Sequence, residues 1–556
     1  MGRPRGAAAA WLAVAALLLL AGCGDGGAPA DPFADDDSAF PSLPPIPYET
    51  QFAGELPPDL ARLLPQVAQA GADSGQPATS RLAIRQRAES DVARLQEALR
   101  AQGYFDARVR FRLEDPREVP VEGIGEEIER LAERPQVILV YDVQPGPRYR
   151  FGALRVELAD NPNGFPAPAP AGLGLVAGEP ALTQAVLDAE QKMLADARKA
   201  GFALARLGER EVIVDHEARA MDVTLRLEPG RRAAFGQVTF TGAEGIDIGF
   251  LRARVPYTDG QRYDPALLDE AQRNLFDTNL FSTIIVNPAD ALSADDRLPV
   301  GYELSQRPPR SIGAELNFQT DLGFGGRVFW EHRNVFGAGE RFRLEAASSL
   351  PQQSATVTFA KPDVLRVRQN LLADVAFRRD DLDAYKATSL GTGVSLEREF
   401  SRQLRASLGV AFRYARIQDR DEPEETFGLL SLPATVNWDF ANNRFNPTRG
   451  GTVVATAAPY TDLLDTSRNF LKGRVTHTRY FQLAWSPQLV LALRGSLGAL
   501  GGVSREEVPA DERFYAGGGG SIRGIGFELA GPLDEDDDPI GGRSLIEGSV
   551  ELRTKF

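Results

Sequence analysis

The sequence predicts a series of small α+β units followed by an antiparallel transmembrane β-barrel. Three observations lead to this fold class. A motif recurs after 84 residues in the N-terminal half, helical periodicity disappears after Ser311, and apolar and polar residues then alternate strictly in segment after segment. Apolar residues that recur every 3.6 positions indicate helices, whereas a period of two indicates strands with one apolar and one polar face.

The repeat covers residues 48 to about 306. Pro145-Gly146 precedes Phe151-Gly152 at the same spacing at which Pro229-Gly230 precedes Phe235-Gly236. Each unit has a helical run that ends just before a break and a later apolar strand; the helical runs are Ala93–Gln102, Leu187–Ala200 and Leu267–Leu275, and the strands are Val137–Val143, Met221–Leu227 and Pro299–Leu304. A period of this size, found about three times, predicts an array of domains built from a strand, two helices and two strands.

The alternation from Ser311 onward predicts a β-barrel. In its longest alternating run, Leu404, Ala406, Leu408, Val410, Phe412 and Tyr414 alternate with Arg405, Ser407, Gly409, Ala411 and Arg413. A soluble β-sandwich also alternates, but arginines on the polar face suit a water-filled lumen, and we count about twelve such strands, an even number that barrels allow. Apolar faces directed at lipid require closure, because hydrocarbon tolerates no open sheet edge.

The first 47 residues predict export and a tether. Residues 1–23 combine Arg3 and Arg5 with an apolar run from Ala7 to Ala21, which is typical of a secretory leader. Leu20-Ala21-Gly22-Cys23 is similar to a bacterial lipobox, so Cys23, the single cysteine, is a candidate for lipidation; ordinary cleavage near Ala21 is the alternative. Residues 24–47 are rich in Pro, Asp, Gly and Ala and predict a disordered linker.

Composition argues against nucleic acid as a partner and against an enzyme. The formal net charge is −15, which does not suit binding to nucleic acid. The three histidines, His216, His332 and His477, lie in different segments, and no metal-binding or nucleophile motif occurs. We therefore expect no catalytic residues, no metal and no cofactor; an outer-membrane barrel lipase that uses His477 as its base is the enzymatic alternative.

A glycine-rich stretch from Phe514 to Phe527 lies between two alternating segments. It lacks both the Gly-Lys-Ser/Thr of a phosphate-binding loop and the helix that a dinucleotide site requires. Six glycines surround one cation, Arg523, so the stretch predicts a long loop that folds back with this arginine buried. Burying a guanidinium is costly without a charged partner.

A second motif is the turn Asn446-Pro447-Thr448-Arg449-Gly450, in which Asn and Pro favour a turn and Gly450 leads into the next strand. It resembles the turn that precedes a strand in the bacterial surface antigen family. With the repeats and the glycine-rich loop, the chain resembles the BamA/TamA-like outer-membrane insertase superfamily with polypeptide-transport-associated (POTRA) domains, and most closely its TamA (translocation and assembly module subunit) branch. The resemblance implies POTRA domains at 48–147, 148–230 and 231–307 and a barrel at 311–556.

The resemblance also assigns site residues. Ser521, Ile522, Arg523 and Gly524 match the core that this superfamily places at the tip of its sixth extracellular loop, where the arginine pairs with acidic groups of the lumen wall. Glu551 matches the family's glutamate on the following strand, and we expect it to pair with Arg523. The family has sixteen strands, so the resemblance implies an incomplete barrel and a truncated or frameshifted gene product.

The implied function is assembly of other outer-membrane proteins. Members template strands of β-barrel or autotransporter clients at a lateral gate, and their POTRA domains hang in the periplasm. The implied partners are a TamB-like protein anchored in the inner membrane, nascent outer-membrane proteins and outer-membrane lipid. The alternative is a two-partner secretion transporter, whose relatives usually carry two POTRA units and a plugging helix.

Overall fold

The computed structural model describes residues 46–72, 78–115, 137–319, 323–419 and 422–555. The predicted leader 1–23, Cys23 and the linker up to residue 45 lie outside the described residues. The chain divides into two compact units: Met1–Arg155 with Ala169–Ala189 and Arg210–Thr224, and Val156–Pro168 with Glu190–Glu209 and Leu225–Phe556.

Three small α+β assemblies occupy the N-terminal half. Their strands are β1 (Tyr48–Ala53), β2 (Arg108–Glu114), β3 (Val137–Gln144), β4 (Arg150–Leu158), β5 (Arg206–Leu207), β6 (Glu211–Asp215), β7 (Ala220–Glu228), β8 (Ala234–Thr241), β9 (Phe281–Pro288) and β10 (Arg297–Gln306). Their helices are α1 (Pro58–Val67), α2 (Gln69–Ala72), α3 (Arg81–Ala101), α4 (Thr183–Lys199), α5 (Ile248–Arg252) and α6 (Pro265–Phe276), and a 3₁₀ turn spans Pro170–Leu173. None of the helices in the described ranges is both long and apolar enough to cross a membrane.

The three assemblies share one strand order, as the repeat predicts. The first sheet is ordered β1-β3-β2 and the third β8-β10-β9, with the first and last strands of each unit parallel. The middle sheet is ordered β4-β7-β5, and β6 extends β5 by pairing with β7. The strand–helix–strand–strand order of each small unit is POTRA-like.

A carboxylate organises the core of the first assembly. Asp91, in the middle of α3, is fully buried, and its two oxygens accept hydrogen bonds from the main-chain N–H groups of Gln69 and Ala70 at 2.9 Å. The Tyr141 hydroxyl donates a third bond at 2.8 Å, and burial together with the adjacent Asp91 carboxylate raises the pKa of Tyr141. Asp91 thereby satisfies the first N–H groups of α2, which have no partner within that helix.

The C-terminal half forms a sheet of thirteen antiparallel segments. They are β11 (Arg310–Gln319), β12 (Gly323–His332), β13 (Arg341–Ser348), β14 (Gln352–Lys361), β15 (Gln369–Asp381), β16 (Lys386–Glu399), β17 (Leu404–Gln418), β18 (Glu425–Ser431), β19 (Ala434–Asp439), β20 (Gly450–Asp462), β21 (Asn469–Trp485), β22 (Gln488–Gly501) and β23 (Ser544–Lys555). Both β18 and β19 pair with β17 and β20, so they are two halves of one strand, and the sheet has twelve strand positions.

The register places the predicted apolar face on the outside. Side chains that share this face are widely exposed: Ile312, Val328, Leu344, Val375, Leu390, Val394, Leu408, Val410, Val475, Leu497, Ile546 and Val550. The opposite face carries charged side chains that pair across strands, such as Arg343 with Glu331 and Arg327 with Glu315. An apolar outer wall around a charged interior is the pattern of a transmembrane barrel and confirms the predicted fold class.

The sheet has two edges within the described residues. There, β11 pairs only with β12, and β23 pairs only with β22. The side chains on the outward face of both edges are apolar and exposed, and Leu316 on β11 is 91% exposed. Unpaired strand edges present free N–H and C=O groups to any incoming strand.

We predict that Asp91→Asn destabilises the first assembly by about 1–3 kcal/mol, because an amide NH₂ would replace one of the oxygens that face N–H and O–H donors. The measurement is hydrogen–deuterium exchange of α3 in the full-length protein across a denaturant series. Asp59→Asn, at a half-exposed aspartate near Arg148, is the control and should leave exchange of α3 unchanged. Equal exchange in the two variants would contradict the role of the buried carboxylate.

Candidate functional site

The candidate site is the loop of residues 502–543 between β22 and β23, together with the interior wall of the sheet. Successive strands run antiparallel, so β22 ends and β23 begins at the end of the sheet opposite to the start of β11. The loop therefore leaves and re-enters the sheet at that end. It then folds inward, and its apolar residues Val508, Ala510, Phe514 and Ala516 join a buried cluster with wall residues such as Ala415, Ile417 and Leu545. The predicted fold-back of this loop is therefore present.

Glycines on both sides make this close packing possible. A Cβ atom at Gly498 of β22 would lie 2.7 Å from the Phe514 ring, so the missing side chain creates the space that Phe514 fills. Gly517 has φ of +119°, and a Cβ there would lie 2.3 Å from the carbonyl oxygen of Gly526. Only glycine combines such a φ with so close a main-chain approach.

Two acidic residues of the loop bind cations of the wall. Asp511 and Glu512 form a 3₁₀ turn with Ala510, and the Arg413 guanidinium contacts both oxygens of Asp511, at 2.5 and 3.3 Å, and Glu512 Oε1 at 2.7 Å. Lys472 Nζ of β21 lies 2.8 Å from Glu512 Oε2. All four side chains are largely buried, so each charge needs the others, and we name this group the loop anchor.

A buried arginine holds the two arms of the loop together. The side chain of Arg513 is 4% exposed, and its Nη2 lies 2.7 Å from Asp419 Oδ2, just after β17. Its remaining N–H groups donate to the carbonyl oxygens of Arg505, Val508 and Ile540 at 3.2 Å. Because these acceptors come from both arms, Arg513 closes the loop on itself while fastening it to the wall.

The predicted lock residues lie deeper along the loop. Ser521 Oγ accepts a bond from Gly517 N–H at 3.1 Å and donates to Glu547 Oε1 on β23, and Glu547 also pairs with Arg474 at 3.0 Å. Ile522 packs against the buried cluster, and Gly524 has φ of +86°. Thus Ser521 reaches the wall through Glu547, a residue that the sequence did not single out.

Arg523 differs from the expectation in its burial. Its side chain is 79% exposed, and Nη2 lies 4.0 Å from Glu551 Oε2. Glu551 is bonded more closely by Arg553 of its own strand, whose Nε lies 3.0 Å from Glu551 Oε1. The arginine that the fold buries is Arg513, since four acceptors converge on it whereas Arg523 faces one distant carboxylate.

The turn motif lies at the opposite end of the sheet, between β19 and β20. Asn442 organises it: the side-chain oxygen accepts from the N–H groups of Thr448 and Arg449 at 3.1 and 3.0 Å, and its NH₂ donates to Thr448 Oγ1 at 3.0 Å. Asn446 N–H donates to the Asn443 side chain at 2.9 Å, Pro447 follows, and Gly450 has φ of +87°. The sequence analysis did not single out Asn442. Its position shortly before the turn residues was the signal that could have identified it, because asparagine side chains often bond to the main chain of a turn.

His477, the base of the lipase alternative, lies on the outward face of β21. Its Nδ1 is 3.1 Å from the Thr452 carbonyl oxygen. Its ring stacks on that of Phe440, with the two ring centroids 6.3 Å apart. Of the other histidines, His216 contacts Asp106 at 2.9 Å and Tyr149 at 2.8 Å in the first unit. The described residues contain no group of three or more His, Cys, Asp or Glu side chains arranged to hold a metal ion.

Residues 334–556 match the Omp85 superfamily domain. The Omp85 match begins within the β12–β13 connection and includes the loop anchor, the turn motif and both halves of the predicted lock.

Relatives cover more of the chain than the Omp85 domain does. The outer membrane protein assembly factor BamA of Neisseria meningitidis serogroup B is 22% identical over 505 residues, which are 84% of this chain and 60% of that protein. A sorting and assembly machinery component 50 homolog of Xenopus tropicalis is 26% identical over 300 residues, 51% of this chain and 62% of that protein. The chain thus spans about three-fifths of the length of these relatives.

A solved structure supports the fold. The crystal structure of BamA from Haemophilus ducreyi lacking POTRA domains 1–3 superposes with a TM-score of 0.60 at 17% identity, covering 73% of this chain and 82% of that one. The superposition supports the fold, the Omp85 match over residues 334–556 agrees with the predicted superfamily, and the TamA branch stays a prediction.

We predict strong energetic coupling within the loop anchor. In a double-mutant cycle, Arg413→Gln and Asp511→Asn should couple by about 1–3 kcal/mol, because the largely buried Arg413 guanidinium contacts both oxygens of Asp511. The matched cycle, Arg523→Gln with Glu551→Gln, joins two more exposed groups and should show no resolvable coupling. The measurement is denaturant unfolding in detergent, and the reverse ranking of the two cycles would contradict the assignment.

A second prediction concerns Glu528, near the glycine-rich run. Burial, reinforced by Asp380 and Asp383, raises the pKa of Glu528 to about 7. The folded loop therefore binds a proton more tightly than the unfolded chain, so its stability is greatest below about pH 4.5 and decreases as the pH rises towards 7. Exchange protection of residues 514–530, corrected for intrinsic rates, should be higher at pH 5.5 than at pH 8, and Glu528→Gln should remove this difference. An unchanged pH dependence in that variant would place the titrating group elsewhere.

Proposed function

We propose that the protein is an outer-membrane assembly factor that promotes insertion or secretion of β-barrel or autotransporter proteins by templating client strands at a lateral gate. The observation that carries the proposal is the pair of edge strands β11 and β23, which within the described residues each pair on one side only. An incoming strand can satisfy its backbone groups at such an edge before it enters lipid, where unpaired groups are costly.

The interior of the sheet favours lateral release over passage through the lumen. The loop anchor and the buried cluster place residues of 502–543 in the space inside the wall. A polypeptide that crossed the lumen would have to displace these buried ion pairs. This argument favours the assembly factor over the two-partner secretion transporter.

The orientation and partners belong to the same proposal. The POTRA-like units, with proposed bounds 48–147, 148–230 and 231–307, precede β11 and would lie in the periplasm, where free sheet edges suit a TamB-like partner and nascent clients. The start of β11 would then mark the periplasmic side and residues 502–543 the extracellular side. Cys23 would be lipidated, and Arg523 with Glu551 would contribute to locking the loop tip.

We predict that removing one edge N–H group of β11 abolishes assembly activity. Adjacent residues of a strand direct their N–H groups to opposite sides, so of Glu315→Pro and Leu316→Pro one removes a donor at the free edge and the other a donor bonded to β12. The edge variant should stay folded, as judged by heat-modifiable migration, but should lower the folding rate of a small eight-stranded outer-membrane barrel into vesicles to that of empty vesicles.

The alanine variant at the same position, Glu315→Ala or Leu316→Ala, is the matched control, because it truncates the side chain and keeps the N–H group. It should retain most of the rate enhancement. If the folded proline variant accelerates client folding as well as the alanine variant does, strand templating at β11 is ruled out.

A further inference from the structure

One arginine stands on the outward, apolar face of the sheet without an acidic partner. Arg479 of β21 pairs in register with Gly451, on the same face as the exposed Val475 and Phe481. Throughout the described residues, no carboxylate lies within ion-pair distance of its guanidinium. An unpaired charge on a lipid-facing wall is costly unless it reaches the interface and finds an anion there.

Aromatic rings surround this arginine. Its Cζ atom lies 5.4 Å from the centroid of Phe440 and 5.6 Å from that of Phe481. Phe440 also covers Gly451, where a Cβ would lie 3.2 Å from the ring, and stacks on His477. Cation–π contacts hold the guanidinium in place and leave its N–H groups free to bind a ligand.

The site lies at the level where a membrane's headgroups would begin. Trp330 and Trp438 occupy the same outward face, within two residues of the ends of β12 and β19, and these strands end on the side at which β11 starts. Gly451, the register partner of Arg479, is the second residue of β20, at this same end. Tryptophans on the outer wall of a barrel gather at the membrane interface.

A second cation lies close by. Arg449 immediately precedes Gly450, which pairs with Tyr480, and its Cζ atom lies 5.5 Å from the ring of Trp485, a side chain that is 74% exposed. The tip of the same turn carries Phe445, which is fully exposed. The described part of the chain supplies no ion-pair partner for Arg449 either.

We propose that Arg479, with Phe440 and Phe481 around it and Arg449 beside it, binds the phosphate diester of a glycerophospholipid on the outer wall of the sheet. A guanidinium presents paired donors that match phosphate oxygens, and the adjoining apolar wall accepts the acyl chains. Charge complementarity and continuity with the exposed apolar face identify the occupant as a phospholipid. The inference rests on the membrane placement in the proposed function and adds a specific lipid site to it.

The test is native mass spectrometry of the full-length protein in detergent, titrated with phosphatidylglycerol, with phosphatidylethanolamine or with diacylglycerol. Wild type should bind both phospholipids more tightly than diacylglycerol, and Arg479→Gln should weaken phospholipid binding by about tenfold. Arg479→Lys should lose less, because the charge remains. Arg379→Gln removes another outward arginine, near the opposite end of β15, and should bind phospholipid as wild type does.

Three outcomes would overturn the inference. These are equal affinity of Arg479→Gln and wild type, equal binding of diacylglycerol and phospholipid, and displacement of the lipid by millimolar inorganic phosphate, which would indicate a simple anion site. Heat-modifiable migration of each variant confirms that the sheet is folded. Failure of the wild type to enter vesicles at all would count against the proposed function instead, so the two failures are distinguishable.

Discussion

Two-residue alternation along paired antiparallel strands is the constraint on which the C-terminal half depends. Each residue's neighbours are set by the register, and a slip of one residue would exchange the apolar wall for the charged interior. The register stays in phase even where one strand is interrupted, and the exception is a shift between Gln482 and Ala484 in the β21–β22 pairing. At Leu432-Pro433 the ladder breaks between β18 and β19 because proline has no N–H to donate, yet both halves keep the same neighbours.

The interior then has to accommodate the charges that alternation sends there. Cations of β17 and β21 meet acids of the 502–543 loop, and Arg474 meets Glu547 of β23. Such pairs give modest net stability, since desolvation offsets much of their attraction. The arrangement of the loop that matches these buried charges also packs Phe514 against Gly498.

Arg513 and Arg523 lie in different environments within the same loop. Arg513 is enclosed by acceptors from both arms of the loop and by Asp419, so it fastens the fold-back. Arg523 is exposed and lies near Glu551. The glycine run that precedes it lets the loop tip approach the wall, which it contacts through Ser521. On the outer wall, no carboxylate of the described residues lies within ion-pair distance of Arg479 or Arg449, and these two side chains rest on aromatic rings instead.

The sequence alone determined the fold class, the repeated α+β units, the approximate number of barrel strands and the direction of the apolar face. Each of these follows from local periodicity or from a short motif, and local patterns are visible in one dimension. Only the tertiary structure decided which charges meet: that Asp511 and Glu512 bind Arg413 and Lys472, that Arg513 is the buried arginine, and that Asn442 organises the turn. These partners lie up to about a hundred residues apart, and a charge near a glycine run looks the same in sequence whether it is buried or exposed. The physical reason is that burial and pairing depend on how the loop packs against the inner face of the sheet, which no local pattern encodes.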